Sequence, residues 1–485
     1  MRPALQDGRR RWARSEVDAA VADAALMLRD IGSRVLATLL DNTPAFVALD
    51  EALLASGQVH VPLPLFFTPA QMQHALQAAG VDTLVTNAAQ ATRWPGLAWA
   101  PVTIAGEPLV RARLRSAPVA LPPGTAKISF TSGTTGAPKG VCLGGEAMRR
   151  VAAGLVQAMA PLDIQRHLNA LPFSVLLENI AGLMAPRLHG ATVLTLPLQQ
   201  VGLQGSSNFD AARFHATVQQ HQPHSLILLP QMLRAWCGHL AQTAQRAPAS
   251  LKLVAVGGAA VGAPLIQAAQ ALGIPACEGY GLSEGASVQT LNLPAPAGAA
   301  RAGSAGRALP HARLRVAADG ELQITGSLFG GYLGDTAPVP EWWPTGDLGR
   351  IDEDGFVHVL GRKTQVLITS FGRNVSPEWV ETALHGQPVV RQAVVFGDGQ
   401  PALCAVLWPV QSGTTDATLQ AAVEAANATL PDYARIDRWT RGRADYSAAT
   451  GLATANGRPQ RAAIWQAHAD ALVAALESTH SDCCP

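Results

Sequence analysis

Apolar, strand-like segments alternate with segments of helical periodicity over most of the first 275 residues. The predicted strands are short apolar runs at residues 34–40, 59–62, 84–86, 126–130, 191–196, 225–229 and 251–256. The predicted helices lie at residues 15–30, 46–54 and 69–79. Because a helix between two strands lets the second strand run parallel to the first, this alternation predicts an α/β fold in which helices cover parallel sheets.

The pattern becomes rich in β-hairpins after Arg307. The predicted hairpin strands are residues 313–316 with 321–324, and residues 350–351 with 356–360. An Asp-Gly pair, which favours a tight hairpin turn, lies inside each of the two connections. Farther along, strands at 393–396 and 403–407 and a helix at 417–426 predict a separate α+β unit. A glycine followed by a basic pair places a domain boundary near residues 361–364.

Composition narrows the class of protein. The chain has 485 residues, of which 48% are hydrophobic and 15% charged, and this balance favours a globular fold over disorder. The net charge is +1 and no basic stripe is evident, so nucleic acid is not an expected partner. No targeting segment and no membrane span of about 20 apolar residues are predicted. The six cysteines are scattered without metal-ligand spacing, which favours a reducing, cytoplasmic setting.

The most informative segment follows the predicted strand at 126–130. It packs four hydroxyl side chains, three glycines and one lysine into ten residues. These residues are Thr131, Ser132, Gly133, Thr134, Thr135, Gly136, Lys139 and Gly140. Glycines let backbone N–H groups turn toward an anion, while hydroxyls and lysine add donors and positive charge. The segment therefore predicts a phosphate-binding loop.

A P-loop kinase or ATPase is the nearest alternative for such a loop. The P-loop motif requires a glycine directly before its lysine and a serine or threonine directly after it. In this sequence Pro138 precedes Lys139 and Gly140 follows it. The alternative therefore fails at both positions that flank the lysine.

The loop instead resembles the signature loop of the adenylate-forming superfamily, which comprises acyl-CoA synthetases, luciferases and nonribosomal-peptide adenylation domains. Three more segments resemble that superfamily in the same order, so that the resemblance runs from about residue 10 to residue 464. It implies that ATP and Mg²⁺ are used to activate a small-molecule carboxylic acid as its acyl-AMP. It further implies transfer of the acyl group to a thiol of CoA or of the phosphopantetheine on an acyl carrier protein.

The second matching segment covers residues 278–284. Its residues with an implied nucleotide or metal role are Tyr280, Gly281, Ser283 and Glu284. By resemblance, the tyrosine stacks on adenine, the serine hydroxyl contacts the α-phosphate and the glutamate binds Mg²⁺, a hard cation that prefers oxygen ligands. Upstream, Gly257 and Gly258 resemble the glycine-rich wall of the nucleotide and acyl pocket.

The remaining matches lie nearer the C-terminus. Asp347 and Arg362 resemble the pair that binds the ribose hydroxyls, one as acceptor and the other as donor. In the superfamily a hinge follows, about which a small, mobile C-terminal domain rotates between the two half-reactions. Gly372 resembles the glycine that lets a loop pass close to the pantetheine arm. The predicted organisation is an N-terminal domain at 1–361, a hinge at 362–364, a C-terminal domain at 365–476 and a tail at 477–485.

Two positions depart from the superfamily pattern. Arg458 stands where a late catalytic lysine is expected, keeping the charge but with a larger, planar group. Phe173 and Val175 stand in a segment that in relatives carries an aspartate anchor for an amino acid, or an aromatic or histidine gate. An apolar site would leave an ammonium group unpaired, which is costly. A fatty or aromatic acid is therefore the predicted substrate, although ordinary core positions would show the same residues.

Two classes of function remain open from the sequence. The first is an acid–thiol ligase in which Lys139, Arg458 and Mg²⁺ stabilise charge during adenylation. The second is an adenylation-impaired nucleotide-binding homologue that acts as a scaffold or sensor, which Arg458 favours. Lys139 and Glu284, together with the two ribose-binding residues, favour the enzyme.

Overall fold

The computed structural model describes residues 2–131, 138–205, 208–368, 374–398, 400, 402–454 and 457–477. Within these ranges the α-helices are α1 (Arg14–Ile31), α2 (Pro44–Ser56), α3 (Pro69–Ala78), α4 (Ala88–Ala91), α5 (Gly145–Met159), α6 (Ala185–His189), α7 (Ala211–His221), α8 (Pro230–Thr243), α9 (Ala263–Ala271), α10 (Pro377–His385), α11 (Asp416–Asn427) and α12 (Arg461–Glu477). A π-helix covers Glu178–Met184. In the described ranges, no helix is both long enough and apolar enough to cross a bilayer.

The strands within the described ranges include every predicted one, most of them to within three residues, although the strand predicted at 350–351 begins seven residues earlier, at Trp343. They also include further strands that were not predicted, some of them six or seven residues long. They are β1 (Leu5–Gln6), β2 (Arg11–Trp12), β3 (Val35–Leu39), β4 (Val59–Pro62), β5 (Thr83–Thr86), β6 (Ala100–Ile104), β7 (Glu107–Arg113), β8 (Thr125–Thr131), β9 (Lys139–Gly144), β10 (Arg166–Leu168), β11 (Thr192–Leu194), β12 (Leu203–Gln204), β13 (Asn208–Phe209), β14 (Ser225–Leu228), β15 (Leu253–Val256), β16 (Ala276–Leu282), β17 (Ser287–Leu291), β18 (Arg307–Ala308), β19 (Arg313–Val316), β20 (Glu321–Thr325), β21 (Gly331–Tyr332), β22 (Trp343–Ile351), β23 (Val357–Arg362), β24 (Leu367–Ile368), β25 (Asn374–Val375), β26 (Val390–Phe396), β27 (Leu403–Pro409) and β28 (Ile436–Arg441).

The chain divides into two compact units. The first comprises residues 1–259, 266–315 and 323–343, and the second comprises residues 260–265, 316–322 and 344–485. The first unit contains a nine-stranded sheet in the order β18-β17-β16-β15-β14-β10-β11-β1-β2. It also contains an eight-stranded sheet in the order β21-β9-β8-β4-β3-β5-β7-β6. The α/β class predicted from the sequence is therefore confirmed.

Both sheets are parallel at the centre and antiparallel at the edges. Strands β16, β15, β14, β10, β11 and β1 run parallel in the larger sheet, and β8, β4, β3 and β5 do so in the smaller one. The antiparallel edges arise at short connections such as that between β8 and β9, because a parallel return needs a crossover of about a dozen residues or more. This edge pairing makes β8 and β9 a hairpin whose connection contains the predicted phosphate loop.

Helix α2 is hydrophobic nearly all round, and the structure buries most of it. Thr43 caps its first turn by accepting a hydrogen bond from the Phe46 N–H, Pro44 occupies the first position and Gly57 ends it in a left-handed conformation (φ 75°). A helix apolar on every face is expected to lie inside a domain. One ionisable group, Asp50, is buried with it.

Asp50 belongs to a buried polar network in the first unit. Its carboxylate lies 2.7 Å from the Lys127 Nζ and 2.6 Å from the His60 Nδ1, and it accepts a 3.0 Å hydrogen bond from the Asn179 amide. Lys127 also donates to the Asn179 carbonyl oxygen. The nearby lysine and histidine hold the pKa of Asp50 well below its usual range, although burial alone would raise it. The network therefore contains an ion pair between Asp50 and Lys127 that is shielded from solvent.

The second unit has its own core. A three-stranded sheet in the order β26-β27-β28 packs with α10 and α11 around Val380, Leu407 and Leu419, which are fully buried. The sequence predicted strands at 393–396 and 403–407 and a helix at 417–426 here, and the structure confirms all three. A four-stranded sheet in the order β19-β20-β22-β23 contains the two predicted Asp-Gly hairpins.

Candidate active site

The phosphate loop predicted from the sequence joins β8 to β9 in the first unit. The two strands are antiparallel, and Thr131 lies opposite Lys139 in the last pair of the hairpin before the loop. The Thr131 hydroxyl lies 3.5 Å from the Lys139 carbonyl oxygen, and the Lys139 side chain is exposed. Ser132, Gly133, Thr134, Thr135 and Gly136 lie outside the described residues. The hairpin thus places a lysine at the end of the loop with its ammonium group accessible.

Lys139 and Glu284 both contact the same tyrosine, Tyr332. The Lys139 Nζ is 5.6 Å from the centre of the Tyr332 ring, within the range of a cation–π interaction. The Tyr332 hydroxyl donates a 2.6 Å hydrogen bond to Oε1 of Glu284. The lysine and the glutamate were predicted from the sequence, but the tyrosine was missed, because its only local signal is its position after Gly330 and Gly331.

The second signature segment forms β16 and the turn after it. Strand β16 pairs with β17, and the register shifts between Tyr280 and Gly281. A Cβ atom at Gly281 would lie 2.2 Å from the Ser287 carbonyl oxygen, so this position requires glycine. Tyr280, Ser283 and Glu284 are all half-buried, and the last two begin a 3₁₀ turn. The structure thus presents these side chains at the end of one strand.

Glycines at the end of β15 allow its backbone to approach β16 closely. A Cβ atom at Gly257 would lie 3.1 Å from the Gly279 carbonyl oxygen. Gly258 has a φ of 84°, in the left-handed region that other residues rarely adopt. The parallel pairing of β14, β15 and β16 ends here, and the carboxyl ends of paired parallel strands form the usual ligand edge of an open α/β sheet.

The two residues predicted for the acid pocket have different surroundings. Phe173 is 1% exposed and its ring centre lies 5.3 Å from that of Phe46 in a hydrophobic core. Val175 is only half-buried and precedes the π-helix Glu178–Met184. Such π-helical turns are frequent at functional sites. The core packing of Phe173 accounts for its apolar character. The prediction that this segment faces the acid therefore depends mainly on Val175.

In the second unit, the predicted ribose pair forms a direct contact. Strands β22 and β23 are antiparallel, with Asp347 opposite Arg362. The Arg362 Nε lies 2.9 Å from Oδ1 of Asp347, which is 5% exposed, and its Nη1 donates to the Thr345 carbonyl oxygen. The hairpin therefore brings together a carboxylate and a guanidinium that are 15 residues apart in the sequence.

Arg458 lies in a tightly hydrogen-bonded turn of the second unit. Its N–H donates to the Thr454 hydroxyl and its carbonyl oxygen accepts from the Thr454 N–H. Much of the side chain is exposed, yet surrounding protein atoms and the charge of Arg362 lower the pKa of Arg458, while Glu378 and Asp347 oppose that shift. Arg458 therefore shares its electrostatic environment with both residues of the ribose pair.

Two residues, Tyr446 and Arg461, make further contacts that hold the segment that carries Arg458. The Tyr446 hydroxyl donates a 2.9 Å hydrogen bond to the Gly457 carbonyl oxygen. Arg461 forms a two-pronged ion pair with Glu381 on α10, at 2.7 and 2.9 Å, and also donates to the Val395 carbonyl oxygen. Glu381 is nearly buried, and burial raises its pKa to about 7 although Arg461 opposes the shift. Gly372, predicted for the thiol channel, lies outside the described residues.

Family profiles match both parts of the chain. The profile described as AMP-binding enzyme matches residues 1–329, and the profile described as AMP-binding enzyme C-terminal domain matches residues 364–479. The chain belongs to the AMP-binding enzyme family. This membership confirms the resemblance predicted from the signature loop.

Curated members of the AMP-binding enzyme family are similar over part of the chain. Long-chain-fatty-acid–CoA ligase FadD15 of Mycobacterium bovis is 38% identical over 160 residues, which cover 31% of this chain and 26% of that protein. The 2-succinylbenzoate–CoA ligase of Bacillus cereus is 31% identical over 291 residues, covering 56% of each protein. The matched region thus spans between about a quarter and just over half of these relatives.

Solved structures of AMP-binding enzymes share the fold over nearly the whole chain. The o-succinylbenzoate CoA synthetase of Bacillus subtilis, in complex with its acyl-adenylate, superimposes with a TM-score of 0.73 at 22% identity and 91% coverage of both chains. The anthranilate CoA ligase AuaEII has a TM-score of 0.77 at 18% identity, covering 96% of this chain and 94% of the other. At these identities the likeness shows the fold of an AMP-binding enzyme.

Proposed function

We propose that this protein uses ATP to convert a carboxylic acid into its acyl-AMP and then transfers the acyl group to a thiol. The observation that carries the proposal is the contact of one tyrosine with both Lys139 and Glu284 in a member of the AMP-binding enzyme family. An exposed ammonium group and a carboxylate that contact the same tyrosine can hold the two charged partners of the reaction, a polyphosphate and a divalent cation.

The carboxylate of Glu284 suits Mg²⁺. Magnesium is usually held by one or two protein carboxylates together with substrate phosphates, and Oε1 of Glu284 is already oriented by the Tyr332 hydroxyl. When bound, Mg²⁺ neutralises charge on the phosphate oxygens. We infer that Glu284 supplies the protein ligand, and that Ser283, which begins the same turn, donates its hydroxyl to the α-phosphate.

In the first half-reaction an oxygen of the substrate carboxylate attacks the α-phosphorus. The bond from that phosphorus to the bridging oxygen breaks, and pyrophosphate leaves. Lys139 and Arg458 stabilise the negative charge that develops on the phosphate oxygens. In the second half-reaction a thiolate attacks the acyl carbonyl carbon and AMP leaves. CoA and the phosphopantetheine of a carrier protein are both suitable acceptors.

Domain movement would separate the two half-reactions. We propose that residues 362–364 form the hinge between a domain at 1–361 and a mobile domain at 365–476, followed by a tail at 477–485. Lys363 there is held by Asp319 at 2.6 Å and by Glu321 at 2.9 Å.

We also propose a cytoplasmic location, because the cysteines within the described ranges are free and buried.

Asp347 provides a direct test of nucleotide binding. Asp347→Ala removes a carboxylate expected to accept hydrogen bonds from the ribose hydroxyls. The variant should lose about 1.5–3 kcal/mol of ATP binding, or roughly 10- to 150-fold in Kd, as for hydrogen bonds to a charged group. Calorimetric titration with Mg-ATP measures the change. The control is Glu353→Ala, an exposed acid on the same hairpin. Equal affinities of the Asp347 variant and the wild type would remove Asp347 from the site.

The substrate class is the next expected result. The apolar side chains predicted for the acid pocket, Phe173 and Val175, favour fatty or aromatic acids, and the relatives named above are ligases of a fatty acid and of 2-succinylbenzoate. ATP–pyrophosphate exchange should therefore proceed with medium- or long-chain fatty acids or aryl acids. It should not proceed with α-amino acids. Exchange that is fastest with an α-amino acid would contradict the predicted pocket, and no exchange with any acid would favour the scaffold or sensor alternative.

A further inference from the structure

The hydroxyl group of Tyr332 connects two sheets at the candidate phosphate site. Tyr332 lies on β21, the edge strand of the eight-stranded sheet, where it pairs with Val141 on β9. Glu284 lies in the turn between β16 and β17 of the nine-stranded sheet. The 2.6 Å hydrogen bond to Oε1 of Glu284 thus reaches from the sheet that carries Lys139 to the sheet that carries Glu284.

The ring of Tyr332 is fixed by aromatic packing. Its centre lies 5.1 Å from that of Phe329 and 6.0 Å from that of Trp343, both in near-perpendicular arrangements. Phe329 and Trp343 are in turn 4.7 Å apart. A hydroxyl on a ring that packs against two mutually contacting aromatic rings has little freedom to follow a moving partner. It can therefore orient the group that accepts its hydrogen bond.

The backbone and the side chain of Glu284 are held by different residues. The Phe329 N–H donates a 2.8 Å hydrogen bond to the Glu284 carbonyl oxygen, and this contact fixes the backbone. The Tyr332 hydroxyl fixes the carboxylate through Oε1. Loss of the hydroxyl alone would therefore leave the turn in place and release only the side-chain torsions of the glutamate.

We propose that Tyr332 is a positioning residue for the metal ligand Glu284. Its hydroxyl occupies one lone pair of Oε1 and sets the plane of the carboxylate, so that the remaining lone pairs are presented to the metal in one orientation. Hydrogen bonds to a ligating carboxylate commonly contribute 10- to 100-fold to metal affinity or activity. The face of the same ring contacts Lys139 through the cation–π interaction, and this contact does not involve the hydroxyl. The proposal rests on the function proposed above, since it assumes that Glu284 holds Mg²⁺.

Tyr332→Phe separates these two contributions. The variant keeps the ring, its aromatic neighbours and the contact with Lys139, and it loses only the hydroxyl. With a non-hydrolysable ATP analogue bound, the Kd for Mn²⁺, followed by its electron paramagnetic resonance signal, should rise by about tenfold or more. Affinity for the analogue without metal should not change. In turnover, the concentration of Mg²⁺ required for half-maximal rate should rise, and added Mg²⁺ should restore most of the rate.

Two further variants make the result decisive. Tyr433→Phe, at an exposed tyrosine of the second unit, should leave the Kd for Mn²⁺ unchanged. Glu284→Gln should weaken Mn²⁺ binding strongly, and adding Tyr332→Phe to it should cause little further loss, because the hydroxyl acts through the carboxylate. A wild-type Kd in Tyr332→Phe, or additive losses in the double variant, would overturn the positioning role alone. A wild-type Kd in Glu284→Gln would instead overturn the proposed metal ligand.

Discussion

Arg458→Ala should slow acyl-AMP formation by about 10²- to 10³-fold, the loss typical of removing one group that stabilises transition-state charge. The conversion of supplied acyl-AMP into thioester should keep its rate, because the superfamily's C-terminal domain moves its adenylation residues away before that step. Single-turnover kinetics of each half-reaction measure the two rates separately. If Arg458→Ala leaves adenylation unchanged, Arg458 has no catalytic role and the scaffold or sensor alternative gains support.

Arg458→Lys distinguishes two origins of the arginine. If the arginine replaced a lysine without adaptation of the site, restoring the compact ammonium group should raise the adenylation rate. If the site was reshaped around the guanidinium, lysine should lower the rate, because the two groups differ in geometry. We expect the increase, because the turn that carries Arg458 keeps its hydrogen bonds with Thr454 and its anchor at Arg461. A lower rate in this variant would show adaptation to arginine.

Arg461→Ala should destabilise the second unit by about 3–5 kcal/mol at pH 8, because it leaves the nearly buried carboxylate of Glu381 without its cation. Chemical denaturation followed by fluorescence measures the change. Arg391→Ala is the matched control. It breaks an ion pair with Asp445 whose side chains are 49% and 66% exposed, and such pairs contribute about 0–1 kcal/mol. Equal losses in both variants would contradict a structural role for the Glu381–Arg461 pair.

The effect of Arg461→Ala should depend on pH. Burial raises the pKa of Glu381 from 4.5 to about 7, and loss of Arg461 should raise it further because the arginine opposes that shift. A carboxyl group with a raised folded-state pKa contributes stability below its unfolded pKa and loses that contribution as the pH rises through the folded pKa. Arg461→Ala should therefore be less destabilising at pH 5.5 than at pH 8. A destabilisation that does not vary with pH would show that Glu381 is not the group exposed by the substitution.

Contacts between neighbouring segments of the chain were predictable. The Asp354-Gly355 turn predicted a hairpin from its own residues, and that hairpin brings Asp347 next to Arg362. The strand before Thr131 and the glycines after it likewise predicted a loop at the end of a strand, and the hairpin of β8 and β9 confirms its setting. In both cases the residues that carry the sequence signal lie within about 15 residues of the hairpin contact that they predict.

Contacts between distant segments were not predictable from one sequence. Tyr332 contacts Glu284 across 48 residues, and nothing near either residue specifies the partner. The pairing of Lys127 with Asp50 spans 77 residues, and each alone has the appearance of a surface charge. Loop closure and sheet order decide such contacts, and one sequence shows neither. The same limit explains why antiparallel edges were missed in sheets predicted to be parallel.

The buried network around Asp50 also has a geometric consequence for the first unit. Asp50 lies on the helix that connects β3 to β4 of the smaller sheet, whereas Asn179 lies on the segment that connects β10 to β11 of the larger one. Apolar contacts are not directional, whereas hydrogen bonds lose strength steeply with distance and angle. The network therefore fixes the relative position of the two sheets. Lys139 lies on the smaller sheet and Glu284 follows a strand of the larger one, so the network also fixes the relative position of the two residues proposed to hold a triphosphate and its Mg²⁺.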